Sequence, residues 1–327
     1  MKRLALVALL ATPALLALAA AAADAKPKPP AAPAAPPPPT DADWRTPDPQ
    51  DILVIDTSKG RIIVEMNDSA APLSVARVRD LAHSGFYDGR AFFRVIDNFM
   101  DQTGDPLDSG LGASPQPNLK AEFTFKRGAD TPFVLAAKTG GLEEGFLGSL
   151  PVLSQTMDLG LLTADHKVQA WGVYCPGVMG MARADDPDSG NSQFFFMRTN
   201  VTSADHGSHA LDKQYTAWGR AIAGQDVIDQ IKTGEPVVAP QDRMTTVKVL
   251  ADMPEADRPK IRVIDISKPW FKAELGRELA ASGQEFSVCQ ANLPAQVTGG
   301  APPAPPPPPT PPASAQPTTP PAPKSPS

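Results

Sequence analysis

The chain has 327 residues, among them 39 prolines and two cysteines, and a formal net charge of −6. No basic stripe interrupts that acidic balance, so the composition offers no footing for a nucleic-acid partner. Most prolines fall in two flanks, residues 27–49 and 294–326, whereas Asp51 to Leu293 holds nearly all the Phe, Trp, Ile and Gly. That middle is long enough for one substantial core and a small appendage.

In chain order, Lys2-Arg3 precede the apolar run LALVALLATPALLALAAAAA, and Ala23-Asp24-Ala25 places small residues just before Lys26. This is the three-part pattern of a secretory signal peptide over residues 1–25, cleaved after Ala25. An uncleaved anchor fits less well, because the run is Ala-rich, contains Pro13 and ends on a cleavage site. The predicted destination is the periplasm or the exterior, with no membrane attachment after cleavage. Residues 26–50 and 294–327 are predicted Pro-rich, extended segments, too poor in apolar side chains to offset the entropy of ordering. They read as spacers, with proline-recognising partners as the alternative. In an oxidising compartment Cys175 and Cys289 either pair or stay as two buried thiols, and spacing alone leaves both open.

Residues 51–253 are predicted to form the main domain. ILVIDT (52–57) and RIIVEM (61–66) are strand-like and joined by Ser58-Lys59-Gly60, a hairpin signal. Pro72 opens a helix to about Ser84, with Val75, Val78 and Leu81-Ala82 on one face and Gly85 at its end. Short strands are predicted at 91–96, 99–103, 178–182, 194–198, 216–223 and 245–251, with a second helix over 225–232. Many short strands with two helices suggest a closed antiparallel barrel. Residues 128–168 show no sustained period and are expected to be a large loop insertion. In the 254–293 appendage, the strand IRVIDI (261–266) leads to a helix carrying Phe271, Leu275 and Leu279 at i, i+4, i+8. Ser267 is its predicted N-cap and Gly283 its end.

Three strings carry the chemistry. FFRVIDNFMDQTGD (92–105), GVMGMARADDPDSGNSQFFF (177–196) and LDKQYTAWGRAIAGQDVID (211–229) resemble, in order, the three signatures of the cyclophilin family of peptidyl-prolyl cis-trans isomerases. The likeness covers residues 51–252 apart from the insertion. It implies a mainly β fold, a closed eight-stranded antiparallel barrel capped by two helices. By matched position it implies Arg94 and Gln102 as catalytic residues. Phe99, Met100, Phe195, Leu211 and Tyr215 would form a proline pocket, with Ala182, Arg183 and Gln193 along the bound peptide. Strand alternation separates Phe195 from Phe194 and Phe196, without saying which face lines the groove.

Those residue types suit the reaction. An X-Pro bond rotates slowly because rotation breaks amide resonance, a barrier of about 18–20 kcal/mol. No nucleophile, metal or cofactor is needed, and none is expected. His206, His209 and Asp205 imitate a metal site but lack a fourth ligand. The acidic run 184–191 lacks the closing Glu of a calcium loop. This chain has Phe93 where many cyclophilins place His, and Arg183 where Asn is common. Ala210 stands where some carry the Trp that favours cyclosporin, so weak cyclosporin binding is expected. The expected partners are proline-containing polypeptides. The competing readings are a peptide-binding chaperone with little catalysis and an envelope scaffold.

Overall fold

The computed structural model describes residues 34–198, 210–283 and 286–300. The expected signal peptide, most of the C-terminal tail and the His206–His209 segment lie outside them.

Eight antiparallel strands build the main sheet: β2 (Ile52–Thr57), β3 (Gly60–Met66), β4 (Arg94–Ile96), β5 (Met100–Thr103), β11 (Val178–Met181), β12 (Phe194–Met197), β13 (Thr216–Ala223) and β14 (Met244–Val249). Their order is β14-β2-β3-β13-β11-β12-β5-β4. The sheet is mainly β with few helices, as expected, but the ladder does not close. Between its edges, β4 and β14, stands only the isolated bridge Ala91–Arg243, beside backbone bonds from Phe92 to Asp242 and from Met244 to Arg90. The predicted strand 91–96 is shortened because the Phe92 N–H and Phe93 C=O bond to residues 242 and 237 instead.

Helix α1 (Pro72–His83) buries Val75, Val78 and Leu81 against the inner face of this sheet. Helix α2 (Gln225–Asp229) is shorter than predicted. Its last turn tightens to i→i−3 bonds at Gln230 and Ile231, and the Lys232 N–H is taken by the Asp242 carboxylate at 2.9 Å.

The expected loop at 128–168 is instead the body of a second, five-stranded antiparallel sheet. Its strands are β6 (Phe125–Arg127), β7 (Phe133–Thr139), β8 (Leu142–Leu147), β9 (Leu150–Gln155) and β10 (Val168–Gly172), in the order β6-β10-β9-β8-β7. Gly140 and Gly141 turn the β7–β8 hairpin at φ 57° and 82°. Both positions need the left-handed backbone that a two-residue turn with the sheet's twist demands.

A third sheet places β15 (Lys260–Ile264) between β1 (Trp44–Arg45) and β16 (Ala295–Thr298). The ends of both proline-rich flanks therefore contribute strands, where wholly extended segments were expected. This sheet covers the outer face of β2 and β3, joining Ile261 and Val263 to Ile52, Val54 and Ile63 in one cluster. Helix α3 (Pro269–Ser282) ends at Gly283, as predicted. Lys268, not Ser267, holds its N-cap position, because the Ser267 hydroxyl donates to Asp265 Oδ1 at 2.6 Å. Phe271 of α3 meets Phe146 of β8 edge-on at 5.7 Å. A Cys175–Cys289 disulfide fastens this C-terminal part to the chain preceding β11.

Candidate active site

The site lies on the outer face of strands β4, β5, β11 and β12. Alternation sends Phe194 and Phe196 into the inner cluster with Trp218. Phe195 goes to the opposite face with Met100 and Tyr215. Phe195 lies across Gly180, its partner on β11. A Cβ at position 180 would sit 2.2 Å from the Phe195 ring, so only glycine lets that ring lie flat on the sheet. Tyr174 stacks on Phe195 with centroids 5.7 Å apart, and Tyr215 meets it edge-on at 5.8 Å. The Tyr174 hydroxyl is buried, and that burial pushes its pKa well up, keeping the ring neutral.

Nine of the ten predicted residues line one cavity of about 160 Å³: Arg94, Phe99, Met100, Gln102, Ala182, Arg183, Phe195, Leu211 and Tyr215. The tenth, Gln193, lines an adjoining cavity of about 330 Å³ that shares Gln102, Ala182 and Arg183. A chain of hydrogen bonds runs between the two. Arg94 Nη1 donates to Gln102 Oε1 at 3.3 Å, and Gln102 Nε2 donates to Gln193 Oε1 at 3.0 Å. Gln193 Nε2 in turn donates to the carbonyls of Gly110 and Gly112 at 3.1 and 2.7 Å. The Ala182 N–H bonds the Gln193 carbonyl at 2.9 Å. The Arg183 side chain donates to the Gln214 carbonyl at 2.9 Å and lies over the Tyr215 ring at 4.6 Å.

A cleft with aromatic and aliphatic walls and the half-exposed Arg94 guanidinium at its side can hold an apolar ring and donate hydrogen bonds to what is bound there. It contains no nucleophile–base pair, and the described residues hold no cluster of three or more potential metal ligands. The family model described as cyclophilin type peptidyl-prolyl cis-trans isomerase/CLD matches residues 52–251. The chain belongs to this family. A probable peptidyl-prolyl cis-trans isomerase of Brucella suis is 31% identical over 198 residues, spanning 57% of this chain and 74% of that protein. A putative thylakoid lumen peptidyl-prolyl cis-trans isomerase of Synechocystis is 26% identical, spanning 56% of this chain and 44% of that one. The crystal structure of a cyclophilin from Hirschia baltica matches with a TM-score of 0.70 at 31% identity, covering 78% of this chain and 94% of that one.

The protein is thus a cyclophilin-type peptidyl-prolyl cis-trans isomerase. Within this cyclophilin, sequence reasoning missed three neighbours of the groove. Tyr174 backs Phe195 from the segment between β10 and β11, and no motif surrounds it. The loop 110–112 was signalled only by its glycines; Asp105 shapes it by accepting the N–H groups of Leu107, Ser109 and Gly110 at 2.7, 2.9 and 2.5 Å. Burial raises the Asp105 pKa, but these backbone bonds outweigh it and leave the carboxyl below its ordinary value. Glu235, whose Oε1 accepts from Arg94 Nε at 2.6 Å, comes from far along the chain.

Proposed function

We propose that the chain isomerises X-Pro bonds in exported polypeptides, with Arg94 as the catalytic group. The proline ring sits against Phe99, Met100, Phe195, Leu211 and Tyr215, and the carbonyl preceding proline swings. As the bond twists, the proline nitrogen regains its lone pair, and the Arg94 guanidinium donates a hydrogen bond to it. That bond is absent from the planar ground state, so it lowers the barrier instead of merely tightening binding. Gln102 holds the guanidinium from one side. The peptide on either side of the proline runs past Ala182, Arg183 and Gln193.

The observation that carries this reading is the convergence of Arg94 and the aromatic pocket on one cavity. Each 1.36 kcal/mol removed from the barrier is a factor of ten, so a 10⁵-fold acceleration asks for about 7 kcal/mol. A charge-assisted bond together with orientation in a partly apolar cleft is of that order. The test is an isomerisation assay on a short Ala-Pro peptide, comparing wild type with Arg94→Ala. A loss of about 10²–10³-fold in kcat is expected, and equal rates overturn the assignment.

Export rests on the N-terminal pattern, on the Cys175–Cys289 disulfide, which persists in oxidising compartments, and on the lumenal description of the Synechocystis relative. Protein isolated from the periplasm is expected to begin at Lys26. A mature chain retaining residues 1–25 overturns the cleaved-signal reading.

A further inference from the structure

We infer that Glu235 is the positioning residue for Arg94, a part of the isomerase site contributed by the segment after α2. The inference rests on the reading of Arg94 as the catalytic group.

The segment 234–237 runs alongside β4 and is pinned on both sides of the arginine. Gly234 exchanges both backbone bonds with Val95 at 2.8 Å, and the Val237 N–H donates to the Phe93 carbonyl at 2.9 Å. Gly234 has no room for a side chain, since a Cβ there would stand 2.7 Å from the Val237 Cα. Glu235 is therefore set by backbone bonds opposite Arg94, and its carboxylate accepts from Nε at 2.6 Å. Gln102 accepts from Nη1 at 3.3 Å. Among the described residues this leaves Nη2 as the one guanidinium nitrogen without a hydrogen-bond partner.

A long arginine chain half in solvent has several rotamers, and holding it loses side-chain entropy. Two acceptors at different nitrogens fix the plane and rotation of the guanidinium before substrate arrives. Such preorganisation acts on kcat, because the donor must meet a nitrogen lone pair that exists only in the twisted state. The ion pair has little to do with stability. Its side chains are 38% and 55% exposed, and pairs in that setting contribute next to nothing to folding.

The experiment measures kcat and KM on a neutral Ala-Pro peptide for wild type, Arg94→Ala, Glu235→Ala and Glu235→Gln, with a thermal melt of each. Glu235→Ala is expected to lose about tenfold in kcat, the scale of a small misplacement of a reacting group, with KM and melting temperature close to wild type. Glu235→Gln keeps an oxygen acceptor for Nε and is expected to recover most of that loss. Wild-type kcat in Glu235→Ala, with Arg94→Ala inactive, overturns the role of Glu235 and leaves that of Arg94 standing. A loss confined to KM, or an equal loss in the Ala and Gln variants, also overturns positioning by this contact. An active Arg94→Ala removes the reading beneath both.

Discussion

The two faces of the main sheet are packed by different means. The inner face is closed by α1 and strand side chains that all come from the family region, Trp218, Phe194, Phe196 and Leu53 among them. The outer face holds the proposed proline pocket, and its cluster runs without a break from Met100 and Phe195 into Phe146, Trp171, Phe271 and Val288. Those last four belong to the second sheet, α3 and the C-terminal part. The pocket and the added structure thus share a core, while the interior of the sheet does not take part in it. The added sheet is therefore part of the wall behind the proposed groove, and changes made in it are expected to reach Phe195.

The disulfide offers the strongest way to break that comparison. It closes a loop of 114 residues in sequence and joins the residue next to Tyr174 to the C-terminal part. Removing a native disulfide costs about 2–5 kcal/mol, so Cys175→Ser with Cys289→Ser should melt well below the wild type. Because Tyr174 stacks on Phe195, kcat/KM measured well below the melting temperature should fall about tenfold, as expected for a loosened binding wall. A destabilised protein with wild-type kcat/KM would separate the two regions and refute a shared core.

The same division explains what was legible beforehand. Strand β13 is predicted to the residue, because TAWGRAIA lies between a turn and a Gly-led helix start. The three motif strings led to the nine residues that line the cavity, Arg94 among them, since those come from contiguous, patterned segments, but not to Glu235, which reaches the guanidinium from outside them. The five-stranded sheet was not legible, for a physical reason seen in β8. Its sequence LEEGFL puts Glu143 and Glu144 at buried positions, where apolar residues would mark a strand. Arg127 and Lys138 pair with Glu143 at 2.6 and 2.9 Å, and Glu144 accepts the Val288 N–H at 3.0 Å. Buried polar groups satisfied by partners outside their own strand break the apolar alternation that a local reading relies on. Strands β1 and β16 were missed likewise, being two and four residues long beside proline runs.

The inner face carries a charge of its own, and it gives a smaller, pH-dependent way to sharpen the comparison. Asp101, on β5 between the groove residues Met100 and Gln102, points inward and is fully buried. It pairs with Arg198 at 2.8 Å, and Arg198 also donates to the carbonyls of Ile228, Asp229 and Ile231. Burial pushes the Asp101 pKa up to about 7, the attraction of Arg198 offsetting only part of the cost, with Asp229 and Asp97 adding repulsion. In the unfolded chain the carboxyl titrates near 3.8. Between these values the folded state binds the extra proton, so this group's contribution to stability is present at acid pH and is lost as pH rises through about 7. From pH 5 to pH 8 the loss amounts to about 2–3 kcal/mol. Asp101→Asn fixes the neutral form and leaves Arg198 its three carbonyl acceptors. Denaturant unfolding should therefore show wild type and variant diverging as pH rises from 5 towards about 7, with the variant gaining relative stability over that range and the difference levelling off above it. A constant difference between them from pH 5 to pH 8 would mean that Asp101 stays ionised and the inner pair is a full salt bridge. The isomerase activity of the variant at pH 6 should stay near wild type, because Asp101 faces the core that the groove does not share.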